Sequence, residues 1–312
     1  MSGYAIGVDL GGTNLRVAAF GPDGQMLEKR SDPTRIQAGR EALMQSIAAS
    51  IRSLVDARAG EQLLGVGIGV PGFILLEKGI VTKSPNLPGL EDFAMRDDLG
   101  ARLHCPVTLE NDANAAALGE KWMGAGRGVD DLVLLTLGTG IGGGIISGGK
   151  VLHGYLGMAG ELGHITVEPR DGALCGCGAQ GCLEAHASAT AIARLANEAI
   201  LAGRSRYLAE MTGPLSSHQV YVAAKAGDTA ACEIFSSIGR ALGQGLAMLI
   251  NTFNFPLYLL SGGVLAAWDL FSPTMLEECR RRSLTFRLTD TRIEKAELGD
   301  MAGLYGAARL VL

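Results

Sequence analysis

Three cysteines, Cys175, Cys177 and Cys182, fall within eight residues, and His164 lies a short way upstream. The chain opens on a strand rather than on a basic and then apolar leader, so these thiols are expected to be reduced rather than paired as disulfides. Three thiolates and one imidazole complete a tetrahedral set for zinc. Four protein ligands leave no position for water, so such a metal is structural and fixes the chain on either side. The intervening glycines let the backbone turn tightly around an ion. Glu161 and Glu184 flank the cluster, and Glu184, two residues after Cys182, would be pinned by the metal. The plain alternative is a Gly-rich loop with three reduced cysteines and two solvated carboxylates.

Other residues suit phosphate. Asp9-Leu10-Gly11-Gly12-Thr13-Asn14 joins two strands and lacks the Gly-Lys-Ser/Thr ending and following helix of a P-loop. Glycines at a hairpin tip can aim N–H groups at phosphate oxygens, and Asp9 at the strand end can hold magnesium or its waters. A second tip of this kind spans Leu137-Gly138-Thr139-Gly140, and Ser261-Gly262-Gly263 is a third glycine site. Leu109-Glu110-Asn111-Asp112 ends a strand and opens a helix, and it reads two ways. Asn111 or Asp112 caps the helix, or Asp112 accepts the proton of an attacking hydroxyl. His104, His153, His186 and His218 show no partner spacing and read as ordinary polar residues. Cys105, Cys232 and Cys279 read as isolated core or near-surface thiols.

These groups need a scaffold, and 312 residues suffice for two domains. A net charge of −5 argues against nucleic acid or an anionic membrane as a standing partner. Phosphate must then be held by backbone N–H groups and a metal ion rather than by a basic field. The uncharged stretch from Ala241 to Trp268 is broken by Gln244, Asn251, Asn254 and Pro256, and reads as a buried helix and strand rather than a membrane span. A cytoplasmic location is expected.

Apolar periodicity predicts strands over Tyr4–Asp9, Asn14–Phe20, Gln25–Arg30 and Leu64–Val70, and helices over Gly39–Ala59, Asp92–Leu103 and Asn111–Met123. Val107–Glu110 is the strand before the last of these. After a Gly-rich junction at 124–130 the opening meander recurs over Asp131–Leu137, Ile141–Ser147 and Lys150–His153. Helices are expected over Ser188–Ala202, Ser216–Ala226, Asp228–Asn251 and Ser272–Arg282, and strands over Leu257–Leu260 and Ile293–Ala296. A last helix covers Met301–Leu310, where Gly303 and Gly306 permit close packing. Two similar halves are thus expected.

Two facing phosphate hairpins and a Gly-Gly turn resemble the sugar kinase, actin and heat-shock-70 superfamily. Glu161-Leu162-Gly163-His164, followed by Cys-x-Cys-Gly-x-x-Gly-Cys-x-Glu, resembles the ROK family (repressors, ORFs and kinases). The resemblance extends from Asp9 to the final helix. It implies an α/β fold of two actin-like (ribonuclease H-like) ATPase domains with an interdomain cleft. The small domain is expected at 1–123 plus 298–312, and the large domain, carrying the zinc motif, at 124–297. The resemblance further implies that Asp112 is the catalytic base. Asn86, Asn111, Asp112, Glu161, His164 and Glu184 would bind a sugar. ATP and Mg2+ would lie with Asp9, Gly11, Gly12, Thr13, Thr139 and Gly140, and adenosine near Gly262 and Gly263. Zinc would be held by His164, Cys175, Cys177 and Cys182, and dimers are frequent in the family.

The reading that follows is an ATP-dependent hexokinase acting on the 6-hydroxyl of glucose, since Ser84-Pro85-Asn86-Leu87-Pro88-Gly89 resembles the glucokinase members. N-acetylglucosamine, N-acetylmannosamine, fructose and allose are alternative acceptors. A sugar-sensing repressor of the same family is disfavoured because no basic helix precedes the first hairpin. A non-catalytic actin-like assembly protein is disfavoured by the zinc motif and the Asn111-Asp112 pair.

Overall fold

The computed structural model describes residues 3–84 and 86–312. Its contacts divide the chain into two compact units. The first comprises Met1–Leu134, Gly144–Gly160 and Ala296–Leu312, and the second Leu135–Gly143 and Glu161–Lys295.

The chain opens with β1 (Tyr4–Leu10), β2 (Asn14–Phe20) and β3 (Met26–Pro33). Then follow α1 (Arg40–Asp56), β4 (Leu63–Val70), β5 (Phe73–Leu75), β6 (Ile80–Lys83), α2 (Met95–Leu103), β7 (Val107–Asn111) and α3 (Asp112–Met123). The first sheet has the order β3-β2-β1-β4-β7. Its meander is antiparallel, whereas β4 runs parallel to β1 and β7 parallel to β4. Parallel strands covered on both faces read as nearly unbroken apolar runs, and β4 follows this rule from Gly65 to Val70. The core over one face joins Ile6, Val8, Val66 and Ile68 to Leu43, Ile47 and Ile51 of α1 and Leu99 of α2. The short hairpin of β5 and β6 has no counterpart in the expected elements, because strands of three and four residues are too short to show a period.

The next strands are β8 (Leu132–Leu137), β9 (Ile141–Ser147) and β10 (Lys150–Val151). Helices α4 (Leu183–Ala187), α5 (Ala189–Leu201), α6 (Arg206–Ala209), α7 (Ser217–Lys225) and α8 (Thr229–Phe253) come before β11 (Leu257–Ser261). Helices α9 (Trp268–Arg282) and α10 (Leu284–Leu288), strand β12 (Arg292–Lys295) and helix α11 (Ala302–Arg309) complete the chain. The second sheet, β10-β9-β8-β11-β12, repeats the strand order of the first. Helix α9 begins four residues before the expected Ser272, so Pro273 lies inside its first turns. Pro273 is the sixth residue of the helix, beyond the first turn where the ring is best tolerated, so α9 gives up one backbone hydrogen bond at that position.

In the second unit α8 is buried along most of its length and packs on α9. Glycines set that approach, since a Cβ at Gly239 or Gly243 would strike the carbonyls of Phe271 and Met275. In the first unit α11 is seated the same way. A Cβ at Gly7 would meet Leu304 O, one at Gly67 would meet Ala307 O, and one at Gly306 would meet Ala115 O. The rings of Phe20 and Tyr305 meet at a tilt of 54° with centroids 4.7 Å apart beside this contact. Among the described residues no helix is long and apolar enough to cross a membrane.

Candidate active site and metal centre

The first hairpin tip is tied from below. Gly11 N–H donates to Asn14 O at 2.9 Å, and Thr34 Oγ1 donates to Gly11 O at 2.7 Å. Gly12 and Thr13 are exposed, and a Cβ on Gly12 would come within 3.3 Å of Asn86 O. The tip and the exposed Asn86 are therefore neighbours. Asp9 and Arg16 are directly opposed across β1 and β2 and form an ion pair of 3.2 Å. Burial pushes the Asp9 carboxyl above its usual range, and Arg16 only partly offsets this. A further cation beside Asp9 would offset the cost of burying its charge.

The turn from β7 into α3 shows which of Asn111 and Asp112 caps the helix. Asn111 is the cap, its Oδ1 accepting from Ala113 N–H at 2.9 Å and Asn114 N–H at 3.2 Å. Its Nδ2 donates to Gly72 O at 3.2 Å. Asp112 is the first residue of α3, half-buried, with Oδ1 accepting from Ala113 N–H at 3.0 Å. Such a cap is worth about 0.5–2 kcal/mol.

Beneath this turn lies Glu110, which was not singled out as a site residue. Its side chain is 3% exposed, and its Oε2 lies 2.7 Å from His153 Nε2. Burial alone lowers an imidazole, but the hydrogen bond to Glu110 raises His153 above its usual value. A carboxylate beside Leu109 near the end of β7 is the available signal for Glu110. Its partner is 43 residues away and gave none. Glu120 is fully buried and accepts backbone N–H groups from Ala125, Glu297 and Leu298, tying the 124–126 turn to the segment before α11.

In the second unit the tip at Thr139 and Gly140 is braced from behind. Ala189 N–H donates to Gly138 O at 2.9 Å, and Thr190 Oγ1 to Thr139 O at 2.7 Å. Glu184 Oε2 accepts Ile141 N–H at 2.9 Å, and a Cβ on Gly140 would collide with the same oxygen. Gly262 holds φ at +101° against the Leu137 backbone, a conformation with no room for a side chain. Beside Gly263 a shallow, open groove is lined by Ile192, His218, Tyr221, Phe235 and Val264.

The cysteine loop is a compact turn. Cys175 N–H donates to Ala179 O and Gly178 N–H to Cys175 O. His186 Nε2 accepts Ala173 N–H at 3.1 Å, and burial lowers its pKa, consistent with a neutral ring. One ligand atom from each of His164, Cys175, Cys177 and Cys182 lies within 4.8 Å of all the others. Cys177 and Cys182 sulfurs are 3.7 Å apart, and Cys175 Sγ is 3.6 Å from His164 Nδ1. A tetrahedral zinc with ordinary bond lengths requires about 3.8 Å between sulfurs and about 3.6 Å between sulfur and nitrogen. The donor set therefore fits zinc. Without a cation, burial pushes the Cys175 thiol up to about 12, which a bound metal would reverse.

Glu161 and His164 are separated by a single 3-10 turn over Leu162–His164, and His164 Nε2 lies 3.8 Å from Glu161 Oε2. Burial raises the Glu161 carboxyl, His164 opposing and Glu184 adding to the effect. Glu184 lies in the first turn of α4, two residues after Cys182, and its Oε1 accepts from Cys175 Sγ at 3.5 Å. Asn86, Asn111 and Asp112 thus belong to the first unit, and Glu161, His164 and Glu184 to the second.

A twice-used five-stranded sheet, each with a glycine hairpin at its first turn, defines the actin-like α/β class of ATP-dependent sugar kinases. Within that class, the sequence model of the ROK family matches residues 5–312, and the chain belongs to that family. It is 39% identical over 313 residues to a glucokinase of Halalkalibacterium halodurans, covering 99% of this chain and 94% of that one. A ROK hexokinase from Thermus thermophilus superposes with a TM-score of 0.84 at 36% identity, covering 98% and 96% of the two chains. A ROK glucokinase from Streptomyces griseus, solved with glucose and AMPPNP, gives 0.80 at 36% identity over 99% of each chain.

Proposed function

We propose that this chain is an ATP-dependent glucokinase that phosphorylates the 6-hydroxyl of glucose. Full-length similarity to proteins named glucokinase supports the substrate. The observation that carries the chemistry is the β7–α3 turn. Asn111 Oδ1 accepts the N–H groups of both Ala113 and Asn114, so Asp112 is not required as the cap and can serve as the base.

In this reading Asp112 takes the proton of the sugar hydroxyl. The freed oxygen bonds to the γ-phosphorus as the bond to the β–γ bridging oxygen breaks, and ADP leaves. The transition state is loose, so most of the work is positioning and charge stabilisation. Asn86, Asn111, Glu161, His164 and Glu184 read the sugar hydroxyls. Gly11, Gly12, Thr13, Thr139 and Gly140 serve the phosphates. Adenosine takes the groove beside Gly262 and Gly263, where His218 and Tyr221 offer flat faces. Asp9 holds magnesium or its waters. Zinc would be held by His164, Cys175, Cys177 and Cys182, and would supply a cross-link that fixes the orientation of His164 and Glu184. The domain limits at 123/124 and 297/298, a homodimer and a cytoplasmic location belong to the same proposal.

The test is a coupled ADP-release assay with ATP and magnesium over glucose, mannose, fructose, allose, N-acetylglucosamine and N-acetylmannosamine. Glucose is expected to give the highest kcat/KM. Preference for an N-acetyl sugar would keep the mechanism and overturn the substrate. No turnover with any sugar, from zinc-replete protein, would overturn the enzyme.

A further inference from the structure

Glu110 is a nearly inaccessible carboxylate with three donors, and they converge on the turn that carries Asp112. Its Oε1 accepts Asn111 N–H at 2.9 Å and Asn114 Nδ2 at 3.1 Å, one on either side of Asp112 in sequence. Its Oε2 lies 2.7 Å from His153 Nε2. The post bearing His153 is fixed at both ends. Leu152 N–H donates to Ile145 O at 2.8 Å, and Ala159 N–H donates to His153 O at 2.9 Å. The imidazole is thus a short strut from the edge of β9 to the floor of the β7–α3 turn.

We propose that Glu110 and His153 form a positioning pair for Asp112, the imidazole holding the buried carboxylate and the carboxylate holding both flanks of the turn. The proposal rests on Asp112 being the base. Glu110 touches neither reactant in this scheme and acts only through the backbone and Asn114. A buried carboxylate without a cationic partner is strongly disfavoured, so His153 is expected to be charged when the turn is set for turnover. The neighbouring charged groups on α3 are otherwise engaged: Lys121 bonds Asp130, and Glu120 bonds the N–H groups of Ala125, Glu297 and Leu298. Lys150 is the charged residue of β10. As pH rises, loss of the His153 proton removes the charge while leaving a neutral ring able to donate, so turnover should decline without vanishing.

The experiment compares His153→Ala, His153→Gln, Glu110→Gln and Asp112→Asn with the wild type. Steady-state kinetics are taken from about pH 6 to 9, with thermal melts to verify folding. His153→Ala should lower kcat roughly 10- to 100-fold while KM for ATP changes less than about threefold. His153→Gln restores a neutral donor and should regain most of that turnover at neutral pH. It should also lack the alkaline decline of the wild type. Glu110→Gln, which keeps an acceptor without the charge, should lose the same decline. A folded His153→Ala enzyme within about twofold of wild-type kcat, with a wild-type pH profile, would overturn the pair. Should that variant not fold, an unchanged alkaline limb in His153→Gln overturns it instead. Asp112→Asn separates the two ideas: full turnover there defeats the base, whereas an inactive Asp112→Asn beside an unaffected His153→Ala defeats only the pair.

Discussion

At the scale of single residues, the chemistry is concentrated in a few carboxylates with different surroundings. Asp112 is half-buried at the first position of α3. Asp112→Ala should lose roughly three or more orders of magnitude in kcat, with sugar binding partly retained. Isothermal titration with glucose and steady-state turnover would read the two separately, and near-wild-type turnover would remove Asp112 from the mechanism. Glu278 shows a structural use of the same group. Its carboxyl is held at about 2, chiefly by Arg281 and then by Arg282, against an ordinary 4.5. A depressed carboxylate contributes stability above its unfolded pKa and loses it as pH falls towards the folded value. Urea midpoints should therefore drop between about pH 4.5 and 2, and Glu278→Gln should flatten part of that slope. An identical slope in the variant would assign the acid sensitivity elsewhere.

At the scale of elements, close backbone approach fixes where the site residues stand. Helix α11 lies against β1, β4 and α3 with no side chain between backbones at Gly7, Gly67 and Gly306. Gly67→Ala places a methyl into the Ala307 carbonyl and should destabilise the first unit by about 1–3 kcal/mol. Denaturant unfolding measures this, and an unchanged midpoint would mean that α11 shifts freely. The cysteine loop is the counterpart in the second unit. Its thiols, and Glu184 at the start of α4, are brought together by turns rather than by a packed core. Removing zinc with a chelator should lower the melting temperature and weaken glucose binding, and re-addition should reverse both. A melting curve indifferent to the chelator would leave the cluster as reduced thiols.

At the scale of the whole molecule, a ligand that binds only the folded chain stabilises it by an amount that grows with the logarithm of its concentration relative to Kd. Glucose at a hundred times its Kd should add about 2.7 kcal/mol to the unfolding free energy. Mannose and fructose should add less at equal concentration. Equal shifts with every hexose would argue against a glucose-selective site. The net charge of −5 fits the proposed site, in which phosphate would be held by aimed N–H groups and a cation rather than by a basic surface.

Local pattern alone determined much of this protein. Period-2 and period-3.6 apolar runs placed the principal strands and the long helices, since those elements bury one face or all of it. The spacing of Cys175, Cys177 and Cys182 predicted that their sulfurs cluster, because a tight loop must bring such neighbours together. Short pieces such as β5, β6, α4 and α10 escaped, being too brief to show a period and held by tertiary contacts. The sequence left open whether Asn111 or Asp112 caps α3, and only the folded turn decided it. The pairing of Glu110 with His153, and of Glu120 with the N–H groups before α11, was likewise invisible in one dimension. Those partners are 43 and 177 residues apart, and nothing but the packing of the sheet and its helices brings them within hydrogen-bond reach.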